Sequence, residues 1–312
     1  MRKYLFFLIL LISCNSSNQL PPRYDELKTD LERNFIYGNV ESIELLKANF
    51  TEDSRTEEPI KQSVARYDTS GYQIEFRKYD SFGKELSWMT TEYNDGKLTK
   101  QSSSFDSEKY KRIIINHYDS NGQLNRTDFY MNDSLSEYSV FNYDSHGNLT
   151  NHSQFNLHNM LMSKTSFVYN FYKTNKFSTK LQIDSTQTGI DTTIYKNKYD
   201  KYDRLVESTF TLKLFGSNKS VNQYDSNGFI ERITSFENGQ IVQEKLYDKY
   251  YNIVQINKYE NAVLSSIFYY SGYSFDTYGN WIERTAKIEN KIGQDKSKKE
   301  LYKEFRRINY YN

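Results

Sequence analysis

Three textures follow one another along the chain. Residues Tyr4 to Ile12 form an unbroken apolar run behind Arg2 and Lys3. A polar stretch from Asn15 to Arg23 comes next. Leu27 and Leu31 then sit one helical turn apart in "RYDELKTDLERNF", which predicts a short helical lead-in over 24–39. From Val40 the chain breaks into short strand-like runs separated by polar turn words, with no second shift in texture up to residue 312. The pattern predicts an all-β repeat domain over 40–312, built as an elongated, curling antiparallel meander of consecutive β-hairpins behind a short N-terminal helix.

The turn words repeat. "YDSNGQL" at Tyr118 returns as "YDSHGNL" at Tyr143, "YDSNGFI" at Tyr224 and "FDTYGNW" at Phe275, with looser copies at Tyr67, Tyr79, Tyr199 and Tyr247. Gaps of 25, 25 and 23 residues define a unit of about 25, and the stretch at Tyr169, "YNFYKTN", has room for one degenerate copy. Shorter words, "YNDGKL" at Tyr93, "YMNDSL" at Tyr130, "FENGQI" at Phe236 and "YENAVL" at Tyr259, lie between the long ones.

Each position of the long word has a physical reason. The carboxylates of Asp119, Asp144, Asp225 and Asp276 can accept bonds from backbone N–H groups just ahead of them. Gly122, Gly147, Gly228 and Gly279 supply the positive φ that turns a type I turn into a three-residue hairpin loop with a bulge. Two copies depart from this. Asp203 stands in the glycine slot of "YDKYDRL", tolerably, since Asp enters the left-handed region readily. Tyr251 stands there in "YDKYYNI", and the expectation is that the turn shifts so that Asn252 takes the left-handed position.

Composition agrees with β structure. The chain has 29 Tyr and 20 Phe but alanine only at positions 48, 65, 262 and 286. Leu, Ile, Val and Phe together make about a quarter of the chain, so tyrosine supplies much of the apolar area. Lys and Arg number 41 against 40 Asp and Glu, which lacks the basic footprint of a nucleic-acid binder.

The apolar run is too short to span a bilayer as a helix and has the length of a signal-peptide core. It ends in Leu11-Ile12-Ser13-Cys14, which resembles the bacterial lipobox. The resemblance implies a signal peptide over 1–13, lipidation of Cys14, and a flexible tether over 14–23. Multiple acyl chains at about 0.8 kcal/mol per buried CH₂ would anchor the chain stably. Cys14 is the only cysteine, so it has no intramolecular disulfide partner. Asn15 follows it and no acidic residue precedes Asp25, which implies sorting to an outer membrane, facing the periplasm.

The Tyr-Asp-x-x-Gly texture over about residues 60–285 resembles the YD repeats of RHS-type envelope proteins and the hairpin repeats of Bacteroidota lipoproteins of uncharacterised function. The resemblance implies a long curling sheet of hairpins. The chain lacks an Arg after most turn glycines, a self-cleaving core segment and a C-terminal toxin module, so a toxin-encapsulating role does not carry over.

Catalytic and ligand motifs are scarce. His146, His152 and His158 are spaced by six, which sets same-face side chains about 20 Å apart on a strand, too far for one metal. No Gly-x-Ser-x-Gly, His-Glu-x-x-His or phosphate-loop word occurs, and the turn words lack the ligand series of a calcium loop. Trp281 occupies the slot of Leu124 and reads as packed; Trp88 stays open as a stacking platform. "KSKKELYKEFRRINYY" reads as a closing strand with a solvated face. The expectation is a non-enzymatic envelope module with no catalytic residue, cofactor or metal, which binds or scaffolds a protein or glycan. A toxin-sequestering immunity protein and an envelope hydrolase without a known motif are the alternatives.

Overall fold

The computed structural model describes residues 29–34, 36–50, 56–105, 110–173, 176–186, 189–212, 216–292 and 299–311. The expected signal peptide, Cys14 and the tether lie outside the described residues. Of the expected lead-in over 24–39, one helical turn is described, α1 (Asp30–Arg33), closed by a capping box between Thr29 and Glu32.

Twenty strands follow. They are β1 (Val40–Asn49), β2 (Ile60–Tyr67), β3 (Gln73–Tyr79), β4 (Glu85–Asn94), β5 (Lys97–Phe105), β6 (Tyr110–Tyr118) and β7 (Leu124–Met131). Next come β8 (Ser134–Tyr143), β9 (Leu149–Asn156), β10 (Leu161–Lys173), β11 (Lys176–Thr186), β12 (Gly189–Tyr199), β13 (Leu205–Leu212) and β14 (Gly216–Tyr224). The last are β15 (Ile230–Glu237), β16 (Gln240–Tyr247), β17 (Ile253–Glu260), β18 (Val263–Phe275), β19 (Trp281–Asn290) and β20 (Lys299–Tyr310).

Each strand pairs antiparallel with the strand before and after it, and β1 also pairs with β20, in a register running from Val40↔Tyr310 to Asn49↔Tyr302. The sheet is therefore a closed β-barrel and not the open, elongated meander expected from the repeat. Closure removes both edges, which would otherwise present rows of unpaired backbone groups. Twenty strands about 4.8 Å apart trace about 96 Å, enough for a ring about 30 Å across, well beyond the size that side chains can fill.

Burial patterns fit an unfilled ring. A packed barrel or sandwich alternates buried and exposed positions along its strands. Here β9 and β11 read as half-buried almost throughout, so both faces of the wall stay partly open. The buried apolar residues gather instead at the seam, where Leu31, Ile36, Val40, Ile43 and Tyr67 pack with Ala65, Ile308 and Tyr310.

Because every connection is an antiparallel hairpin, alternate turns lie at opposite rims. The turn words at Tyr67, Tyr118, Tyr143, Tyr199, Tyr224, Tyr247 and Phe275 share one rim with the start of β1 and the end of β20. The copy at Tyr79 lies at the other rim. The unit of about 25 residues is thus two strands and the return to the same rim. The stretch at Tyr169 does hold a connection, between Lys173 and Lys176, but Tyr169 itself lies inside β10.

The long turns share one geometry. Gly122, Gly147, Gly228 and Gly279 have φ of 77, 83, 91 and 87°. Asp119 donates its N–H to the Gln123 carbonyl at 2.9 Å and accepts that of Gly122, and its Oδ1 accepts from the N–H groups of Asn121 and Gln123. Asp144, Asp225 and Asp276 do the same in their turns. Asp203 takes the glycine slot at φ 62°.

The turn at Tyr251 does not shift to Asn252 as expected. Tyr251 itself has φ 62°, with the same 3.1 Å bond to the Asp248 carbonyl that the glycines make. Its ring lies edge-on to Phe229 at 5.7 Å, and Asn252 Nδ2 donates to Asp248 Oδ2 at 3.1 Å. These contacts hold the turn frame in place against the strain of a side chain at positive φ.

Candidate functional site

The tyrosine of the repeated word has a role that its turn does not explain. Tyr118 Oη donates to the Leu98 carbonyl at 2.8 Å, Tyr143 Oη to that of Leu124 at 2.9 Å, and Tyr224 Oη to that of Leu205 at 2.8 Å. Each acceptor opens the strand just after the preceding turn on the same rim. Tyr199 reaches Phe177 at 3.4 Å in the same way. Phe275 has no hydroxyl, and Tyr273, two residues earlier, supplies the bond to Ile253 at 2.6 Å. The rim is therefore latched turn to turn by phenol-to-carbonyl bonds. The recurrence of Tyr signalled this; which carbonyl it reaches depends on neighbouring strands.

Two of these turns hold the segment before β1. Leu31 donates its N–H to the Gly71 carbonyl at 3.2 Å, and Asp30 Oδ2 accepts from the N–H of Gln73 at 2.8 Å. Across the seam, Asn280 grips Tyr37 by both backbone groups. Its Oδ1 accepts from the Tyr37 N–H and its Nδ2 donates to the Tyr37 carbonyl, each at 2.7 Å. Asn280 is 2% exposed, and Nδ2 also donates to Tyr310 Oη at 2.9 Å. Gly38 must be glycine here: at φ 88°, a Cβ would sit 3.0 Å from the rings of both Tyr278 and Tyr310.

Alternation along strands, carried across the register from Tyr118, sorts wall residues into two faces. The face of Tyr118 also carries Thr165, Phe167, Tyr169, Asp184 and Tyr195. There Phe167, Tyr169, Phe171, Phe177, Tyr195 and Phe210 make a row of rings over β10 to β13. Lys180 lies 3.9 Å from the Tyr195 ring centre and 5.4 Å from that of Phe167, and burial holds its amine below the usual lysine range. Gln182 and Asp184 edge the row, Gln182 accepting from Tyr195 Oη at 3.1 Å and Asp184 from Thr165 Oγ1 at 2.6 Å.

The opposite face of the same strands carries aliphatic groups among polar ones. Val168, Leu181 and Ile194 lie opposite one another in register, and Ile190 lies on the same face four residues before Ile194, at the start of β12. Val168 is 59% exposed and Ile190 73%. This section of wall thus offers rings on one side and bare aliphatic groups on the other. Elsewhere charges reach mid-strand on both faces: Arg284 and Glu304 on the tyrosine face, Arg126, Asp128 and Glu244 on the other.

The sequence-marked histidines are not brought together. His146 lies in a turn at one rim, His152 in β9, and His158 in the turn at the other rim. His152 stacks on Phe141 at 4.8 Å; burial pushes its pKa below 6.5, and Asp184 acts in the opposite sense. Among the described residues no group of three His, Cys, Asp or Glu side chains is placed to hold a metal. Trp281 is 7% exposed and packed against Tyr273, whereas Trp88 is half-buried. A 280 Å³ pocket opens between the turns at Tyr199 and Tyr224, but its Arg204 is neutralised by Asp200 at 2.6 Å.

No protein-family model and no curated protein matches the chain. Among solved structures, a porin-like protein from Bacteroides uniformis is 10% identical over 88% of this chain and 98% of its own, with a TM-score of 0.33. A porin-like protein from Bacteroides vulgatus is 10% identical over 66% of this chain and 97% of its own, at 0.36. The Photorhabdus luminescens Tc holotoxin pore is 14% identical over 77% of this chain but only 15% of its own, at 0.28. At these scores the likenesses carry no functional inference.

Proposed function

We propose that the chain is a non-enzymatic module of the bacterial cell envelope, lipid-anchored at Cys14 to the outer membrane and facing the periplasm, that binds or scaffolds a protein or glycan. The observation that supports binding is the β10–β12 section of the wall. Exposed apolar area of this kind marks interaction surfaces, and a ring row edged by an amide and a carboxylate suits a sugar or peptide as well as packing. The anchor reading rests on the leader and the lone cysteine. The expected tether before residue 24 would meet the barrel at the rim where β1 starts and β20 ends, which leaves the far rim and the wall open to a partner.

Photo-crosslinkers placed at Val168, Ile190 and Phe171 of the full chain in cells test the binding reading. One adduct of defined mass, absent with the probe at Phe82, across the barrel between β3 and β4, is the expected result. No adduct at any of the three positions would end it. A fatty-acid probe should label the wild type and not Cys14→Ala; equal labelling of both would end the anchor reading.

A further inference from the structure

We propose that the tyrosine face at the barrel seam binds an oxyanion, the carboxylate or phosphate group of a ligand, between Arg306 and Lys47. This site is distinct from the β10–β12 wall and does not depend on it. Glu304 of β20 stands opposite Arg284 of β19 on one side and Lys47 of β1 on the other. Arg306 lies two residues along on the same face, so it and Lys47 are diagonal neighbours, with Cα atoms about 7–8 Å apart for such a pair. Three cations thus stand around one carboxylate.

That carboxylate is taken. Arg284 meets Glu304 Oε2 through Nε and Nη2, each at 2.5 Å, and both side chains are 16% exposed. Arg306 is held differently. Its guanidinium lies 3.7 Å from the Trp281 ring centre, and among the described residues it makes no hydrogen bond and no ion pair. The Arg306 side chain is half-buried. Lys47 Nζ sits 3.9 Å over the Tyr302 ring and, among the described residues, meets no carboxylate. By contrast Arg77, Arg126, Arg232 and Arg284 on the wall, and Arg204 in its turn, each meet a carboxylate.

A guanidinium fixed by stacking keeps its N–H fork free and preorganised for bidentate oxyanion binding, and the ammonium beside it adds a second point of charge. Burial and the neighbouring Arg284 lower the Arg306 pKa to about 10, so it stays charged at neutral pH. Trp281 is a built-in reporter, because Trp88 is the only other tryptophan.

The test uses the full chain carrying Trp88→Phe, titrated with inorganic phosphate and separately with acetate at ionic strength held constant with chloride. A saturable change in Trp281 emission is expected, with the half-point shifted at least tenfold by Lys47→Met, which leaves the Arg306–Trp281 stack in place. Arg306→Met should abolish saturation while keeping the melting temperature within a few degrees. A response equal to that of chloride, or unchanged in both variants, overturns the site. Vesicles of phosphatidylglycerol against phosphatidylcholine distinguish the source: binding to the former alone, lost in Lys47→Met, assigns the anion to a lipid headgroup, and binding to neither assigns it to a free ligand.

Discussion

Tyr251 and Ala262 show how turn geometry overrides residue preference. Both have left-handed φ, 62° and 63°, in turns whose counterparts use glycine, Asp or Asn. Tyr251 has the Phe229 contact to offset the strain, whereas Ala262 is exposed. Ala262→Gly is therefore expected to stabilise the protein by about 1 kcal/mol, as read from chemical denaturation. The reverse change at Gly279, where an added Cβ meets nothing within 4 Å, isolates the backbone cost. Gly279→Ala should destabilise by about 1 kcal/mol, and so should Gly122→Ala, where the added Cβ meets only the flexible end of Lys97. His152 makes a residue-scale prediction in pH. Its folded pKa lies below the ordinary histidine value of 6.5, so the unfolded chain takes up a proton first as pH falls. The stability difference between wild type and His152→Phe should be flat above pH 6.5. It should move against the wild type as pH drops through that window, measured by denaturation at stepped pH.

Hairpins are the unit at the next scale, and the phenol latches join them. Tyr143→Phe removes one bond to the Leu124 carbonyl without changing the ring. The expected loss is about 1 kcal/mol, with amide exchange rising first in the turns at 118–124 and 143–149, because each hairpin touches chiefly its neighbours. Exchange rising evenly around the barrel would contradict that locality. The short turns obey a different rule. Asp95-Gly96, Asn132-Asp133, Asn238-Gly239 and Asn261-Ala262 all place two successive residues at positive φ, the type I′ pattern that suits the twist of a hairpin. Asn156 and Asn159 rebuild the long turn with Asn in both special slots, Asn156 Oδ1 accepting from the N–H groups of His158 and Met160. A search for Tyr-Asp-x-x-Gly passes over it because the letters differ while the hydrogen-bonding capacity does not.

Closure belongs to the whole molecule. The ring is completed where β1 meets β20, and the segment from Thr29 to Asn39 lies across that seam, tied at Gly71 and Gln73 on one side and at Asn280 on the other. Asn280→Ala leaves both backbone groups of Tyr37 without their partner, at about 1–3 kcal/mol for each group left unsatisfied. Limited proteolysis should then cut first within residues 29–40, while a cut pattern like that of the wild type would show that the strap is held by its apolar contacts alone. The sequence by itself determined the hairpins, because period, turn glycine and Asx acceptor act within a few residues of one another. It also carried the β class, through aromatic abundance and scarce alanine. What only the tertiary structure decided was closure, the phenol acceptors and the grouping of Lys47, Arg284, Glu304 and Arg306. The physical reason is range. "VESIELLKAN" carries no turn word and nothing in it names residues 302–310 as its partner; that pairing follows from the accumulated twist of twenty strands and from the removal of two open edges.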